Sequence, residues 1–180
     1  MIKFFREIIG TPVLDFEDAS PLALIKDIII DPDTGKIEGL WVKPLESLLT
    51  YGVLQTQDIL EWKKNLYIRH ENVIGDPAEI IKIADILSQK RYFLGNAVRT
   101  EGGEAWGKVM DLDFDTLHYY VRNLYAQKYF LGLIPYEKRG VSYDLILEVL
   151  PEAIVVKDKI EKGEKVQKSF IESKSLLLDN

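Results

Sequence analysis

Ile25-Lys26-Asp27-Ile28-Ile29-Ile30-Asp31 and Val109-Met110-Asp111-Leu112-Asp113-Phe114-Asp115 are two renderings of one segment, set 84 positions apart. Each is rich in large apolar residues, closes on an aspartate and leads into a second hydrophobic run, which is the pattern of a strand entering a hairpin. Outward from there, Gly10 and Val13 precede the first segment as Gly95 and Val98 precede the second. The chain therefore reads as two copies of one unit, residues 9–75 and 94–158. A repeat of this length predicts a tandem of small units with the same fold.

The first copy has β texture throughout. Asp31-Pro32-Asp33-Thr34-Gly35-Lys36 separates Ile28-Ile29-Ile30 from Ile37-Glu38-Gly39-Leu40-Trp41-Val42. Proline presets φ and glycine supplies a positive φ, so this stretch is a hairpin turn. Further strands are expected at 53–56, 58–62, 65–68 and 72–74, a succession that suggests a small barrel or sandwich. In the second copy Glu101-Gly102-Gly103-Glu104 is the early turn and 108–114 a strand. The hairpin at 115–117 has lost the proline and glycine, and His118-Tyr119-Tyr120-Val121-Arg122-Asn123-Leu124-Tyr125 is a β-prone, tyrosine-rich strand. Strands at 134–136, 143–149 and 153–156 complete it.

Between the copies, Ile80, Ile81, Ile83, Ala84 and Leu87 recur at helical spacing. With Asp76 as N-cap and Pro77 at the first helical position, the spacing predicts a helix over 77–90. Its apolar face must be buried against one unit or both. The expected organisation is a first unit at 1–76, a linker helix at 77–92, a second unit at 93–159 and a polar Lys/Glu-rich tail at 160–180. The expected fold class is all-β, two small β-barrels joined by one short α-helix, packed through the helix and part of the tyrosine-rich surface.

Composition narrows the function classes. The chain has 180 residues, 47% hydrophobic and 29% charged, and units of half that length have thin cores, so the two halves are expected to support one another. The absence of cysteine removes disulfides, thiolate nucleophiles and thiolate metal sites, and it fits a reducing cytoplasm. A net charge of -6 and a pI near 5.1 argue against a broad phosphate-binding surface, so no direct nucleic-acid binding is expected. Met1-Ile2-Lys3-Phe4-Phe5-Arg6-Glu7 is too short an apolar stretch for a secretory signal, and no run approaches the roughly 20 apolar residues of a membrane-spanning helix. The expected location is cytoplasmic.

The repeated residues resemble the PRC-barrel family, a small β-barrel known from the cytoplasmic domain of the photosynthetic reaction-centre H subunit and the C-terminal domain of the ribosome-maturation factor RimM. The first copy carries Gly10, Val13, Asp27, the triplet Ile28 to Ile30, and Asp31-Pro32-Asp33-Thr34-Gly35. The second carries Gly95, Val98, Gly107, Val109, Asp111 and Asp115. Ala23 stands where Gly107 has its counterpart, and the second copy lacks the Pro-x-Thr-Gly turn. The resemblance implies a tandem of two such barrels acting as a docking module with no shared catalytic residues, so the function has to be read from the site.

Candidate constellations are few. Asp111-x-Asp113-x-Asp115 mimics the opening of a calcium loop, but Thr116 occupies the glycine place and Arg122 that of the bidentate glutamate. The expectation is a strand whose aspartates face solvent, with Leu112 and Phe114 inward. Asp27 and Asp31 occupy the places of Asp111 and Asp115, as acids that close a strand and accept turn amides. Ile29 takes the middle place and no histidine lies close, so paired-carboxylate chemistry is not expected. His70 and His118 fall at different places in the two copies, and Gly102-Gly103 has no P-loop lysine after it. No catalytic residue, cofactor or metal is expected, and an enzyme is the least favoured class.

The aromatic residues carry more. Tyr119 and Tyr120 are adjacent in an expected strand, so they cannot both face one small core. Part of the cluster must lie between the units or on the surface, and Tyr and Arg are the types enriched at interface hot spots. The candidate partner-binding residues are Tyr119, Tyr120, Arg122, Tyr125, Tyr129 and Phe130, with burial in or between the barrels as the competing role. Trp41, Trp62 and Trp106 share that ambiguity. Phe170-Ile171 with Leu176-Leu177-Leu178 reads as a docking peptide or a frayed end. The expected function is a non-enzymatic adaptor binding a protein partner, in ribosome assembly or RNA processing, with a membrane-associated or cell-division scaffold as the alternative.

Overall fold

The computed structural model describes residues 1–46 and 50–158. The expected tail at 160–180, with its docking peptide, lies outside the described residues. The fold is all-β. A seven-stranded sheet is made of β2 (Pro12–Asp15), β3 (Pro21–Ile30), β4 (Ile37–Pro44), β5 (Gly52–Gln55), β6 (Ile59–Trp62), β7 (Leu66–Ile68) and β8 (Ile74–Gly75), in the order β6-β7-β2-β3-β4-β5-β8. The second sheet holds β9 (Ala97–Thr100), β10 (Ala105–Asp115), β11 (Tyr120–Phe130), β12 (Ile134–Ser142), β13 (Ile146–Val149) and β14 (Ala153–Val156), in the order β13-β14-β9-β10-β11-β12. Six strands repeat the first order, with no counterpart of β8, down to one parallel pair in each among the described residues, β2 with β7 and β9 with β14. Both sheets curl into half-barrels.

The repeated glycines have one physical cause. Gly10 has φ 82° and Gly95 φ 77°, the left-handed region where a side chain is strained. Each amide donates to the carbonyl of the same strand position, Gly10 to Ile25 and Gly95 to Val109, both at 2.8 Å. The Val13 and Val98 side chains that follow are buried.

Two elements depart from expectation. The helix α2 spans Ile81–Ser88 instead of 77–90, because Asp76 closes a separate turn: its carboxylate accepts the Ala78 amide and its carbonyl the Glu79 amide. The helix lies on the outer face of the first half-barrel, where Ile83 and Ile86 pack with Ile29 and Val53, flanked by Trp41, Ile80 and Leu87. At the N-terminus, β1 (Ile2–Phe4) and the one-turn helix α1 (Phe5–Ile8) attach to the second sheet: Lys3 pairs with Phe114 and Phe4 with Asp113.

A single apolar cluster runs through both halves. It joins Val13, Ile25, Leu40 and Leu66 of the first to Val98, Leu112, Leu124 and Ile154 of the second. The junction is made by the two equivalent hairpins. Ile37 donates its amide to the Tyr119 carbonyl at 2.7 Å, and Val121 donates to that of Gly35 at 3.0 Å. Residues 37 and 121, like 35 and 119, occupy the same place in the two copies, so the halves meet about a local pseudo-two-fold axis through the Lys36–Tyr120 bridge. Around it, Trp62 of the first half stacks on Tyr119 (6.3 Å) and meets Phe114 (5.7 Å), while Tyr143 of the second lies against Gly35 so closely that a Cβ there would collide with its ring. Arg91 clamps the same junction, its guanidinium donating to the Asp33 carboxylate and the Val149 carbonyl, each at 2.6 Å.

Candidate functional site

The aspartates that repeat are structural. The carboxylates of Asp27 and Asp111 accept the next amide in the chain, Ile28 and Leu112, beside the bulges that precede them. Those of Asp31 and Asp115 accept the amide two residues on, Asp33 and Leu117, and so shape the two hairpin turns. Burial raises the Asp27 pKa, while the His118 ring, 2.7 Å from Asp115, and the Leu117 amide hold the Asp115 carboxyl below the ordinary range. His70, by contrast, takes the Asn72 amide in its own turn, and the two histidines do not converge.

Asp113 corrects the expectation of three solvent-facing aspartates: it is only 4% exposed. Leu112 and Phe114 face the common core while Asp113 lies on the opposite face of β10, which is covered as well, so the three are buried in succession. Its carboxylate accepts the Tyr125 hydroxyl at 2.7 Å and the Asn123 amide at 3.0 and 3.1 Å. Burial, then the hydrogen bond to Asp113, push the Tyr125 phenol well up. Ile29 and Trp41 hold the equivalent places in the first half, under α2; here Phe4 covers Tyr125 at 5.7 Å. The outer face of each half-barrel thus has its own lid, apolar on one and hydrogen-bonded on the other.

The six aromatic and basic candidates fall in three places along β11. Tyr119 sits just before the strand, at φ 59° in the position of Gly35, half-buried against Trp62. For this reason β11 starts at Tyr120 and not at His118. Tyr120 and Arg122 are exposed at this end of the strand, Arg122 as the extra residue of the bulge opposite Asp113/Phe114, and Arg122 has no acidic partner among the described residues. Tyr125 is midway, bonded to Asp113. Tyr129 and Phe130 lie at the far end, where the chain turns.

That far end is the feature sequence reading left undeveloped. The expected short strand at 134–136 is the start of the nine-residue β12, which pairs with β11 from Asn123↔Ser142 to Phe130↔Ile134. Its counterpart β5 has four residues, so the second half carries a long hairpin. Tyr129, Phe130, Leu131, Leu133, Ile134 and Tyr136 are all exposed at its tip, the two leucines by 80 and 82%. Leu131 (φ 51°) and Gly132 (φ 72°) both take left-handed conformations in the turn, closed by the Leu133 amide on the Phe130 carbonyl at 3.1 Å. A leucine there is strained; asparagine and glycine are the local choices. Leu131→Asn is therefore expected to stabilise the fold by about 0.5–1 kcal/mol, read as a higher midpoint in denaturant.

Behind the tip lie cations. Residues 122–140 hold Arg122, Lys128, Lys138 and Arg139 against the single acid Glu137, in a chain whose net charge is -6. Lys128 and Arg139 both reach Glu137, at 3.1 and 2.7 Å, and lower its pKa. Lys138 lies over the Tyr125 ring and Arg139 over that of Trp106.

One cleft of about 220 Å³ opens between α2, the first sheet and the linker, lined by Asp27, Ile29, Trp41, Ile86, Arg91 and Tyr92. It is smaller than the roughly 300 Å³ at which small-molecule sites begin, and Arg91 is committed to the junction. The described residues contain no group of three or more His, Cys, Asp or Glu side chains placed to hold a metal ion.

Compared with known proteins, residues 1–74 match the PRC-barrel domain family. No curated protein matches the chain. Among the described residues no helix is long and apolar enough to cross a membrane.

Proposed function

We propose that the protein is a non-enzymatic adaptor, in which two fused barrels of PRC type form a rigid body that displays one face of the second barrel to a protein partner. The second unit's membership of that family is part of the proposal. It is supported by the shared order of six strands, the paired glycine turns and the paired aspartates. One observation carries the docking role: large exposed side chains gather along the β10–β12 ribbon of the second half, from Leu117 and Tyr120 at one end to Phe130 and Leu133 at the other. Partner recognition is assigned to the Tyr120–Arg122 end, where an exposed aromatic ring and a guanidinium with no acidic partner among the described residues lie two positions apart on the strand. Resemblance to a ribosome-maturation factor makes an assembling ribonucleoprotein particle the concrete version of the partner's setting. A membrane-associated scaffold is the second reading, favoured by the apolar hairpin tip.

Affinity capture with mass spectrometry tests the first reading. Tyr120→Ala with Arg122→Ala is expected to keep the wild-type melting point within about 0.5 kcal/mol of stability, since both side chains are exposed, and to lose the captured partner at least ten-fold. Tyr119 is left intact because its change would loosen the junction. An unchanged set of partners on the folded double variant would remove this end of β11 from the docking surface.

A further inference from the structure

We propose that the β11–β12 hairpin is an interfacial anchor whose tip enters the surface of an anionic lipid bilayer, with Phe130, Leu131, Leu133 and Ile134 below the headgroups, Lys128 at the phosphates and Lys138 facing them from behind. This inference deepens the second reading above and is independent of the partner surface at Tyr120 and Arg122.

The first argument is geometric. Phe130 pairs with Ile134 and Tyr129 with Pro135. Successive pairs of a ribbon point to opposite faces, so the exposed apolar groups at this tip lie on both. A groove or a flat protein surface covers one face of a ribbon and leaves the other in water, whereas an apolar medium surrounds the tip on all sides. The turn residue adds to this. Leu131 holds a strained left-handed conformation with its side chain 80% exposed, where asparagine or glycine would relieve the strain but present nothing apolar.

The second argument is the order of chemistry along the hairpin. At about 3.3 Å per residue, Tyr129 lies roughly 10 Å behind Gly132, Lys128 and Tyr136 roughly 13 Å, and Lys138 roughly 20 Å. Interfacial segments bury their apolar side about 5–10 Å deep. A tip seated to the full depth brings Tyr129 to headgroup level, where amphipathic rings are favoured, and Tyr136 and Lys128 to the phosphate layer, with Lys138 roughly 10 Å outside the boundary, about a Debye length away. Charge complementarity selects the lipid. Residues 128–139 carry three basic residues and one acid while the whole chain is at -6, so the positive end turns toward an anionic surface and the rest away from it.

Flotation of the full chain with vesicles tests this. The protein is expected to float with phosphatidylcholine vesicles containing phosphatidylglycerol, and at least ten-fold less with phosphatidylcholine alone. Phe130→Ser with Leu131→Asn and Leu133→Ser is expected to abolish flotation with melting unchanged or higher. Lys138→Gln is expected to weaken it roughly five-fold, as one cation near the surface predicts. A wild type that stays soluble with anionic vesicles overturns the proposal, as does a folded triple variant that floats like the wild type. So does a tip-dependent dimer in size-exclusion chromatography, or tip-dependent protein capture, without lipid binding. Tyr120→Ala with Arg122→Ala is expected to float normally, so that loss of the partner and loss of lipid binding are separate failures.

Discussion

Trp62→Ala is expected to destabilise the whole protein by about 3–5 kcal/mol and to melt both half-barrels in one transition. The indole is 7% exposed at the end of β6, and it contacts the second half through Phe114 and Tyr119, with Lys3 of the strand added to the second sheet 5.9 Å from its ring. Removing it opens a cavity where the two cores become one, so neither half keeps its packing. Trp62→Phe is expected to cost much less. The indole Nε1 has no acceptor among the described residues, so the change deletes an unsatisfied donor while keeping a ring for Tyr119 to stack on. Denaturant titration followed by tryptophan fluorescence and by far-ultraviolet circular dichroism checks the coupling. Non-coincident transitions, with the second half surviving the loss of the first, would contradict it.

Gly107→Ala is expected to cost about 3 kcal/mol or more, at the upper end of single substitutions. Gly107 has φ 102°, and a Cβ would run into the Gln127 carbonyl group and come within 2.7 Å of the Lys128 nitrogen. These are backbone atoms of β11 at the root of the long hairpin, and they have no side-chain freedom with which to give way. The substitution should therefore displace the hairpin as well as lower stability. Faster hydrogen exchange is expected across 123–142 than across β3 and β4, and weaker vesicle binding with it. Equal protection of the hairpin in the folded variant would show that Gly107 supports the sheet alone. The first half has the equivalent bulge, with Leu22 as its extra residue where the second has Trp106, but Ala23 beside it does not take the left-handed φ of Gly107.

Much of the frame was legible because its residues answer to local rules. The Asp31–Lys36 turn, the glycines at 10 and 95 and the strand-closing aspartates each do what their conformational preferences dictate, and the repeat doubled every reading. What escaped depends on non-local contact. Asp113 is buried because Asn123, Tyr125 and the N-terminal Phe4 cover the outer face of β10, and a period of two tells which face a residue takes but not what covers it. Tyr119 takes a glycine's conformation because Trp62, 57 residues earlier, holds its ring. The candidate aromatic cluster is contiguous in sequence but extended in space, since a strand carries its residues apart at about 3.3 Å each. The tip was half seen in Tyr129 and Phe130. A run of exposed apolar residues looks the same as a buried strand until its neighbours are placed. The one local signal was Leu131-Gly132, in a three-residue loop between Phe130 and Ile134, with leucine where asparagine belongs.

The chain's lack of cysteine allows a clean test of whether this tip is where the protein docks. Leu131→Cys labelled with an environment-sensitive fluorophore is compared with the same label at Leu60→Cys, a half-exposed leucine on the first half's edge strand β6. On addition of anionic vesicles the label at 131 is expected to shift to the blue and to be quenched by lipids brominated along their chains, while the label at 60 stays as in water. No change at 131, or the same change at both positions, would contradict the account.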